Sequence, residues 1–331
     1  MKHLILVATL CAGVHANAGL AESLDARVKQ ASGWVAWNVP MIADAGAPCC
    51  FAGNNRGHGS KSTGCDLDTR NRGFSTSDDP RPPGTDTLTV YAHVTNARVD
   101  DVRAFEASCP VRSATSIRRI DGVTAADSIG FLSGWMDSPD GVHDELALAA
   151  IAYHADGSAT RVLAARAEPA HPRKEREDAL FWLGQARGAD GAAIVERVAT
   201  TDGDPKLREH AIFALSQSHA GDPYARIHAI AQSDPSEHVR SQGLFWMAQM
   251  HDARAPADIT AAITREPSGE VREQAVFALS QLGEDKGDDA LIALMRGNYP
   301  RDVKKQALFW LGQSGSPRAI AFFDEALTQS K

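Results

Sequence analysis

One ten-residue motif occurs five times in this chain at a constant spacing, and this spacing limits the fold more than any other feature. Every copy begins with a basic residue and has a small residue at its fourth position. The small residues are Ala179, Ala211, Gly243, Ala275 and Ala307, so the numbering advances by 32 from each copy to the next. The copies span residues 176–185, 208–217, 240–249, 272–281 and 304–313. Units of equal length are typical of stacked architectures, in which each unit packs only against its neighbours.

Each repeat divides into two predicted helices. An acidic residue followed by proline is typical of a helix start, and it precedes three motifs at Asp204-Pro205, Asp234-Pro235 and Glu266-Pro267. A turn and a second amphipathic helix follow the motif. One further step towards the N-terminus reaches Glu145–Ala167, which we interpret as a degenerate first repeat. The sequence therefore predicts a mainly α chain whose residues 144–331 form a right-handed α-solenoid of about six helical hairpins.

An apolar residue precedes the arginine that begins the motif, as in Leu207-Arg208, Val239-Arg240 and Val271-Arg272. This apolar-arginine pair, together with the small and apolar residues that follow it, resembles the motif of the HEAT family. The resemblance is specifically to the short bacterial HEAT-like repeats also found in phycobilisome lyase subunits. The resemblance covers roughly Glu145–Lys331. The whole layout is also similar to exported bacterial HEAT-repeat proteins with a cysteine-containing N-terminal part. The resemblance implies a protein-binding scaffold, since only a few members of the family are enzymes.

The functional residues of two enzymatic relatives are missing from this sequence. Deoxyhypusine hydroxylase, which is similar in being built of HEAT hairpins, binds two irons through His-Glu dipeptides. This chain contains no such dipeptide, and Glu209-His210 and Glu237-His238 have the opposite order. No residue marks the tetrapyrrole pocket of a bilin lyase, and a Gly-x-Ser-x-Gly nucleophile motif is also absent. We therefore predict no catalytic, cofactor-binding or metal-binding residues.

Two further motif positions carry the same residue in all five copies. One is a phenylalanine two positions after the small residue, and the other is a glutamine four positions later on the same helical face. Either Phe packs between successive first helices while Gln hydrogen-bonds across the seam, or the residues form a strip that binds a protein partner. This candidate strip comprises Phe181, Phe213, Phe245, Phe277, Phe309, Gln185, Gln217, Gln249, Gln281 and Gln313.

The position after each Phe alternates between large and small residues. The large residues are Trp182, Trp246 and Trp310, and the small residues between them are Ala214 and Ala278. This position therefore repeats every two units, or 64 residues, and not every 32. We interpret the tryptophans as core side chains that interdigitate between layers. The basic residues that begin the motif are predicted to pair with acidic groups of the adjoining repeat. They are Arg176, Arg208, Arg240, Arg272 and Lys304.

Residues 1–18 are predicted to be a signal peptide. Lys2 precedes the apolar stretch Leu4–Val14, and Ala16-Asn17-Ala18 supplies the small residues of a cleavage site. The apolar stretch is shorter than the roughly 20 residues that a transmembrane helix needs. We therefore expect an exported protein, periplasmic or extracellular, without a membrane span.

The remaining cysteines lie in a second predicted domain, at residues 19–140. Cys49, Cys50, Cys65 and Cys109 are an even number in a chain expected to reach an oxidising compartment, which predicts two disulfides. A bond between adjacent Cys49 and Cys50 would close a strained ring, so each is expected to pair with Cys65 or Cys109, and both pairings remain open. The other interpretation is a zinc site with His58, although no Cys-x-x-Cys spacing is present.

The domain at 19–140 is predicted to be β-rich. Leu88–Val94 is rich in β-branched residues and partly alternates, and Val99–Cys109 continues the pattern after a turn at Asn96-Ala97-Arg98, so the two segments predict a hairpin. Gly53–Gly84 has too few apolar residues to fold alone and is predicted to be a long surface loop.

The charge balance argues against nucleic acid as a partner. The net charge is -8 with a sequence pI near 5.8, and phosphate binding needs clustered Lys and Arg, of which the sequence shows no run. The sequence thus predicts an exported, non-enzymatic scaffold whose solenoid binds a protein partner. The alternatives are an envelope enzyme or redox protein that uses Cys49 and Cys50, or a HEAT-type lyase.

Overall fold

The computed structural model describes residues 22–43, 45, 49, 65–68, 86–138 and 144–328. The predicted signal peptide, Cys50 and most of the predicted loop at 53–84 lie outside these residues. Within them the chain is mainly helical, and an N-terminal β-containing region precedes a stack of helical hairpins. The predicted fold class is confirmed.

The described residues of the N-terminal region form two sheets, whose strands are β1 (Gly33–Pro40), β2 (Cys65–Asp66), β3 (Thr87–Thr95), β4 (Arg98–Glu106), β5 (Val111–Arg112) and β6 (Arg118–Arg119). The larger sheet has the order β4-β3-β1-β6, in which β1 pairs antiparallel with β3, β3 antiparallel with β4, and β1 parallel with β6. The smaller sheet joins β2 and β5 in parallel.

The predicted hairpin is confirmed as β3 and β4. Its connection is a two-residue turn in which Asn96 and Ala97 have φ values of 55° and 61°. Positive φ at both central residues is typical of a type I′ turn, whose twist matches that of the flanking strands. Asn adopts this left-handed conformation readily, whereas alanine incurs a steric cost in it.

Both faces of the larger sheet are buried, because successive side chains of a strand point to opposite sides. On one side Val35, Trp37 and Val39 join the main hydrophobic core together with α1 (Leu24–Lys29) and α2 (Ala125–Met136). On the other side a smaller cluster contains Trp34, Ala36, Tyr91 and Phe105, with Cys65 and Cys109. The sheet is therefore the middle layer of the N-terminal region.

A disulfide joins Cys49 to Cys109, 60 residues further along the chain. It confirms the prediction that Cys49 pairs with Cys65 or Cys109. Cys65 is buried in the same cluster on β2. Because Cys50 lies outside the described residues, the second predicted disulfide stays a prediction.

The remaining helices form six consecutive hairpins, α3–α4, α5–α6, α7–α8, α9–α10, α11–α12 and α13–α14, which confirms the predicted number. They are α3 (Asp144–Ala152), α4 (Gly157–Arg166), α5 (Arg173–Ala186), α6 (Gly188–Thr201), α7 (Pro205–Ser216), α8 (Pro223–Ser233), α9 (Glu237–Gln249), α10 (Ala255–Arg265), α11 (Gly269–Ser280), α12 (Glu284–Arg296), α13 (Arg301–Ser314) and α14 (Pro317–Thr328).

The stack has two layers of helices. The first helices, α3, α5, α7, α9, α11 and α13, contact one another more extensively than the second helices do. The first helices therefore form the more closely packed of the two layers. No helix in the described part of the chain is long and apolar enough to cross a bilayer.

Two helices start later than the sequence predicts. Asp204 caps α7 as expected, since its side chain accepts a hydrogen bond from the helix backbone. By contrast, α9 and α11 begin two residues after their prolines, with Ser236 and Ser268 as the N-caps. The acidic residues that we predicted to cap these helices, Asp234 and Glu266, are bound to arginines instead.

Arginines of the motif connect successive repeats. Arg208 donates two hydrogen bonds of 2.8 Å to the Asp234 carboxylate and one of 2.8 Å to the Asp202 carbonyl oxygen. Arg240 binds the Glu266 carboxylate in the same bidentate way, at 2.9 and 2.8 Å, and its hydrogen bond lowers the pKa of Glu266. Arg176 pairs with Asp202, and Arg272 lies 3.7 Å from Asp302. The predicted pairing is confirmed for these four arginines.

A buried polar chain connects the sheet to the stack. Trp37 Nε1 donates to Ser128 Oγ at 2.8 Å, and Ser128 Oγ lies 2.8 Å from His154 Nε2. The other ring nitrogen of His154 lies 2.8 Å from the Ala150 carbonyl oxygen, and Arg187 donates to the His154 carbonyl oxygen at 2.6 Å. Burial lowers the pKa of His154 to about 4, so the ring is neutral at pH 7. The hydrophobic core is continuous across this junction.

Candidate partner-binding face

The Phe column lies at the surface of the first helices. Phe181, Phe213, Phe245 and Phe277 are half-buried, and Phe309 is 53% exposed. Each residue of an α-helix is rotated by about 100° from the previous one. In the four repeats with a half-buried Phe, the residues one position before and two positions after it are fully buried in the hydrophobic core. Each of these Phe side chains therefore lies at the edge of the core. One part of the ring packs against the core, and the other part is accessible to solvent.

Nine aromatic rings form a continuous series across the first helices, which we call the aromatic ladder. Each ring centroid lies between 5.0 and 6.3 Å from the next. In contact order the rings are Tyr153, Trp182, Phe181, Phe213, Trp246, Phe245, Phe277, Trp310 and Phe309. Every hairpin except the first contributes a Phe, so the ladder runs the length of the stack.

The tryptophans are part of this ladder, which corrects the interpretation of them as core side chains. Trp182, Trp246 and Trp310 are half-buried and pack at the edge of the hydrophobic core. Trp246 contacts Phe213 of the preceding repeat at 5.0 Å, and Trp310 contacts Phe277 in the same way. The Trp position directly follows Phe on the helix, so it shares the same partly open edge.

The alternation of Trp with Ala sets how the rings meet. Phe181 stacks on Phe213 at 5.8 Å with an interplanar angle of 16°, and Phe245 stacks on Phe277 at 6.3 Å and 6°. In both pairs the second Phe precedes an alanine, Ala214 or Ala278, which is fully buried. In the repeats where a Trp follows the Phe, that Trp contacts an aromatic ring of the preceding repeat, as Trp246 contacts Phe213 and Trp310 contacts Phe277. The ring contacts therefore repeat with every second hairpin.

The Gln column lies one helical turn beyond the Phe column. Gln185, Gln217, Gln249 and Gln281 are half-buried, and Gln313 is exposed. Gln217 Nε2 donates to Ser216 Oγ at 3.0 Å, and Gln281 Nε2 donates to Ser280 Oγ at 3.1 Å. At these two positions hydrogen bonds to the preceding serine replace the predicted bonds across the seam.

A groove of about 350 Å³ lies beside the middle of the ladder, lined in part by Phe213 and Trp246. Its polar wall includes Glu209, which lies 2.7 Å from His238 Nε2 and 3.4 Å from Lys206 Nζ. His210 is half-buried there, and burial lowers its pKa, so its ring is neutral at pH 7. Side chains of both charge signs flank the ladder, and the ladder rings are uncharged.

Among the described residues, no group of three or more His, Cys, Asp or Glu is placed to hold a metal ion. Cys49 is bonded to Cys109 and carries no thiol in this state. Thiol chemistry at Cys49 would require that bond to open first.

Sequence reasoning found most of the ladder but missed its first ring. Tyr153 directly follows α3, and its ring lies 5.8 Å from that of Trp182 in the next repeat. The residue 32 positions before Trp182 is Ala150, not Tyr153. Because the first repeat is degenerate, no periodic signal could have assigned Tyr153 to the series.

The match to a known protein family supports the repeat assignment. Residues 224–308, from α8 to α13, match the family described as HEAT repeats. No curated protein sequence matches the chain. Among solved structures, human deoxyhypusine hydroxylase in complex with glycerol is similar, with 15% sequence identity and a TM-score of 0.31 over 57% of this chain and 73% of that chain.

Proposed function

We propose that this chain, with HEAT repeats at residues 224–308, is a non-enzymatic scaffold that binds a protein partner along the aromatic ladder. The observation that carries the proposal is that every ladder ring from Trp182 to Trp310 is half-buried. A structural core would enclose such rings, whereas this ladder keeps part of each one at the surface of the first helices. Aromatic side chains are enriched among the residues that dominate protein–protein binding energy.

The architecture supports the same proposal. HEAT repeats commonly mediate protein–protein interaction, and a stack of repeats offers an extended surface for it. The disulfide-bonded N-terminal region packs on the first hairpin through α2, β4 and the His154 junction, so it forms a rigid end to the binding surface.

The proposal includes export of the protein. Its support is the charged, apolar and small-residue pattern of residues 1–18, together with the Cys49–Cys109 disulfide, which suits an oxidising compartment.

Affinity capture from an envelope fraction tests the proposal with a matched pair of variants. Phe245→Ala removes a ring from the middle of the ladder. Phe322→Ala removes a half-buried ring from α14, outside the ladder, where it contacts Arg296. We expect the wild type and Phe322→Ala to retain the same partner and Phe245→Ala to lose it. Equal capture by all three proteins, each shown to be folded by circular dichroism, would exclude the ladder as the binding surface.

A further inference from the structure

We infer that the outer face of the last hairpin, α13–α14, binds an amphipathic α-helix of a partner protein. The outer face is the side that points away from α11 and α12, and the bound helix continues the stack as the first helix of a seventh hairpin would. This helix has an acidic residue before its start and a Phe-Ala pair near its end. The inference goes beyond the proposed function, because it concerns the end of the stack and not the length of the ladder.

The outer face of α13–α14 is apolar and exposed in the part of the chain that the structure describes. Leu308 is 43% exposed, whereas the residues at the same position of α5 and α9, Leu180 and Leu244, are 0% and 1% exposed. Ile320 and Leu327 on α14 are 54% and 70% exposed. A hairpin that closes a repeat stack usually has a polar outer face. This hairpin has the outer face of an internal repeat instead.

The covered counterpart of this face is on α5. Residues 179–185 and 307–313 share the sequence Ala-Leu-Phe-Trp-Leu-Gly-Gln. In α5 this segment packs against α7, the next first helix of the stack. The same side chains in the same helical order present the same surface. The contacts between α5 and α7 therefore show what the open segment of α13 fits, and that is another α-helix.

The first of these contacts is a stacked pair of rings. Phe181 stacks on Phe213 of the following repeat, and Phe245 stacks on Phe277 in the same way. Phe309 has the same position in α13. Among the described residues, its ring contacts Trp310 on its own helix and no ring of a following repeat. Phe309 is therefore the first member of a third stacked pair, and the bound helix supplies the second ring.

The second contact is a close approach of two helix backbones. A Cβ atom on Gly184 would collide with the backbone of Ala214 on α7. Gly312 is the equivalent glycine of α13, and no described atom lies within 4 Å of its Cβ position. Alanine is the better helix former at an open position, so glycine gives the uncovered hairpin no advantage. It leaves room for a helix that approaches α13 as closely as α7 approaches α5.

The third contact is an ion pair. Arg176 binds Asp202 and Arg240 binds Glu266, and each carboxylate lies just before the first helix of the following repeat. Lys304 is the basic residue that begins the motif in α13. Among the described residues, no acidic side chain is paired with Lys304. An acidic residue before the bound helix would complete the same ion pair and fix the register of that helix.

Together these contacts specify the order of residues in the partner helix. Asp202 precedes Phe213 by eleven residues, and Glu266 precedes Phe277 by the same number. Alanine directly follows both Phe residues. The expected segment therefore has Asp or Glu, ten further residues, and then Phe-Ala, with an apolar face as in other helices that bind in grooves. The helices α7 and α11 carry this pattern but are packed inside the stack, so a second folded copy of the chain does not present it.

Titration of the full chain with a synthetic peptide of residues 202–233, the α7–α8 segment, tests the inference. The peptide contains Asp202, Phe213 and Ala214 in the required order. Binding is followed by fluorescence anisotropy of a label on the peptide. We expect the peptide to bind and to gain helical circular dichroism, since short helices are marginal in water alone. The control peptide carries Phe213→Ala, which should weaken binding about tenfold. Equal binding of the two peptides, or no binding of either, would overturn the inference.

Variants of the chain assign the binding to α13. Gly312→Ala favours the helix itself, yet it should weaken peptide binding about tenfold because the methyl group fills the space of close approach. Gly134→Ala is the control, since it changes an equally open glycine on α2 and should leave binding unchanged. Lys304→Glu should weaken binding about fivefold, and a peptide with Asp202→Lys should restore it. Binding of Gly312→Ala at wild-type strength, or no restoration by the exchanged charges, would contradict the inference.

Two further measurements separate this inference from its rivals. Phe245→Ala removes a ring from the middle of the ladder and should bind the peptide as the wild type does. Loss of binding in this variant would place the peptide on the ladder and overturn the inference, whereas failed capture of a partner by the ladder would leave it standing. Sedimentation equilibrium of the full chain should show no self-association through this face. A dimer that Gly312→Ala abolishes would assign the face to a second copy and overturn the inference.

Discussion

Gly184 on α5 lies against the backbone of Ala214 on α7. A Cβ atom placed on Gly184 would collide with the Ala214 carbonyl oxygen and lie 2.9 Å from its carbonyl carbon. The helices α5 and α7 therefore pack at a distance that only glycine allows. Gly312 stands four repeats later in the same seven-residue sequence, Ala-Leu-Phe-Trp-Leu-Gly-Gln, and has no neighbouring atom within 4 Å of its Cβ position.

This contrast predicts opposite effects of the same substitution. Gly184→Ala should destabilise the protein by about 1–3 kcal/mol, because backbone must move apart to accept the methyl group. Gly312→Ala should stabilise it by up to about 1 kcal/mol, since alanine is the better helix former in open space. Urea unfolding of both variants measures the two free energies. Similar values of the same sign would show that α5 and α7 are not in this contact.

Because Phe245 is only half-buried, its substitution by alanine should destabilise the protein less than substitution of its buried neighbour on α9, Leu244. Leu244 is 1% exposed, so Leu244→Ala should cost about 2–5 kcal/mol of unfolding free energy. Phe245 retains part of its surface in solvent, so Phe245→Ala should cost about 1–2 kcal/mol, less than the roughly 3–5 kcal/mol of a fully buried Phe. Thermal and urea unfolding of the two variants give the order. A larger loss for Phe245→Ala would place the Phe column in the core.

The arginines that connect repeats should contribute different amounts to the free energy of unfolding. Arg208 and Asp234 are both buried and bonded in a bidentate way. Arg208→Ala would leave the Asp234 carboxylate without its partner, at a cost of about 3–5 kcal/mol. Arg272 is more exposed and lies 3.7 Å from a mostly exposed Asp302, so loss of that ion pair contributes at most about 1 kcal/mol. Arg208→Ala should therefore lower the urea midpoint more than Arg272→Ala, and the reverse order would contradict this account.

The His154 junction predicts that acid weakens the fold. The pKa of His154 is lowered from 6.5 to about 4 by burial, so between these values the unfolded chain binds a proton that the folded chain does not. Stability from this residue is present above pH 6.5 and is lost as the pH falls towards 4. The expected loss between pH 7 and pH 5 is about 2 kcal/mol.

His154→Gln is the matched variant, because its amide keeps a donor and an acceptor but does not titrate. Urea unfolding at pH 7 and pH 5 should show a pH dependence that is smaller in His154→Gln than in the wild type by about 2 kcal/mol. Equal slopes in the two proteins would mean that His154 is not held neutral by burial.

The hairpin turn offers a stabilising change. Ala97 has a positive φ of 61°, which costs a residue with a side chain about 1–2 kcal/mol. Ala97→Gly removes that cost and creates the Asn-Gly pair favoured in type I′ turns. After the greater entropy of glycine in the unfolded chain is subtracted, we expect a net gain of up to about 1 kcal/mol. A lower melting temperature for Ala97→Gly would contradict the turn geometry.

Periodicity was enough to predict the stack, since identical residues at equal steps require identical contacts. The six hairpins and the pairing of Arg208 and Arg240 followed from it. The exposure of the Phe column could not be predicted from the periodicity, because this exposure depends on how closely and at what angle the first helices pack. The sequence does not encode that spacing in any single residue.

Other features escaped prediction for local reasons. Asp234 has the sequence context of a helix cap, but Arg208 binds its carboxylate more strongly than a helix N-terminus would, and Ser236 takes over the cap. The contact of Ser128 with His154 joins two segments 26 residues apart with no repeat between them. Such contacts are visible only once the fold has brought the segments together.

The alternation of stacked Phe pairs with bridging tryptophans also governs how a chain of this kind can change in length. Inserting or removing a single hairpin would place two Trp repeats or two Ala repeats side by side, and the series of rings would meet a mismatch at that joint. A gain or loss of two hairpins together would preserve it. Length therefore changes in pairs of hairpins, and we expect natural variants of this architecture to grow by even steps.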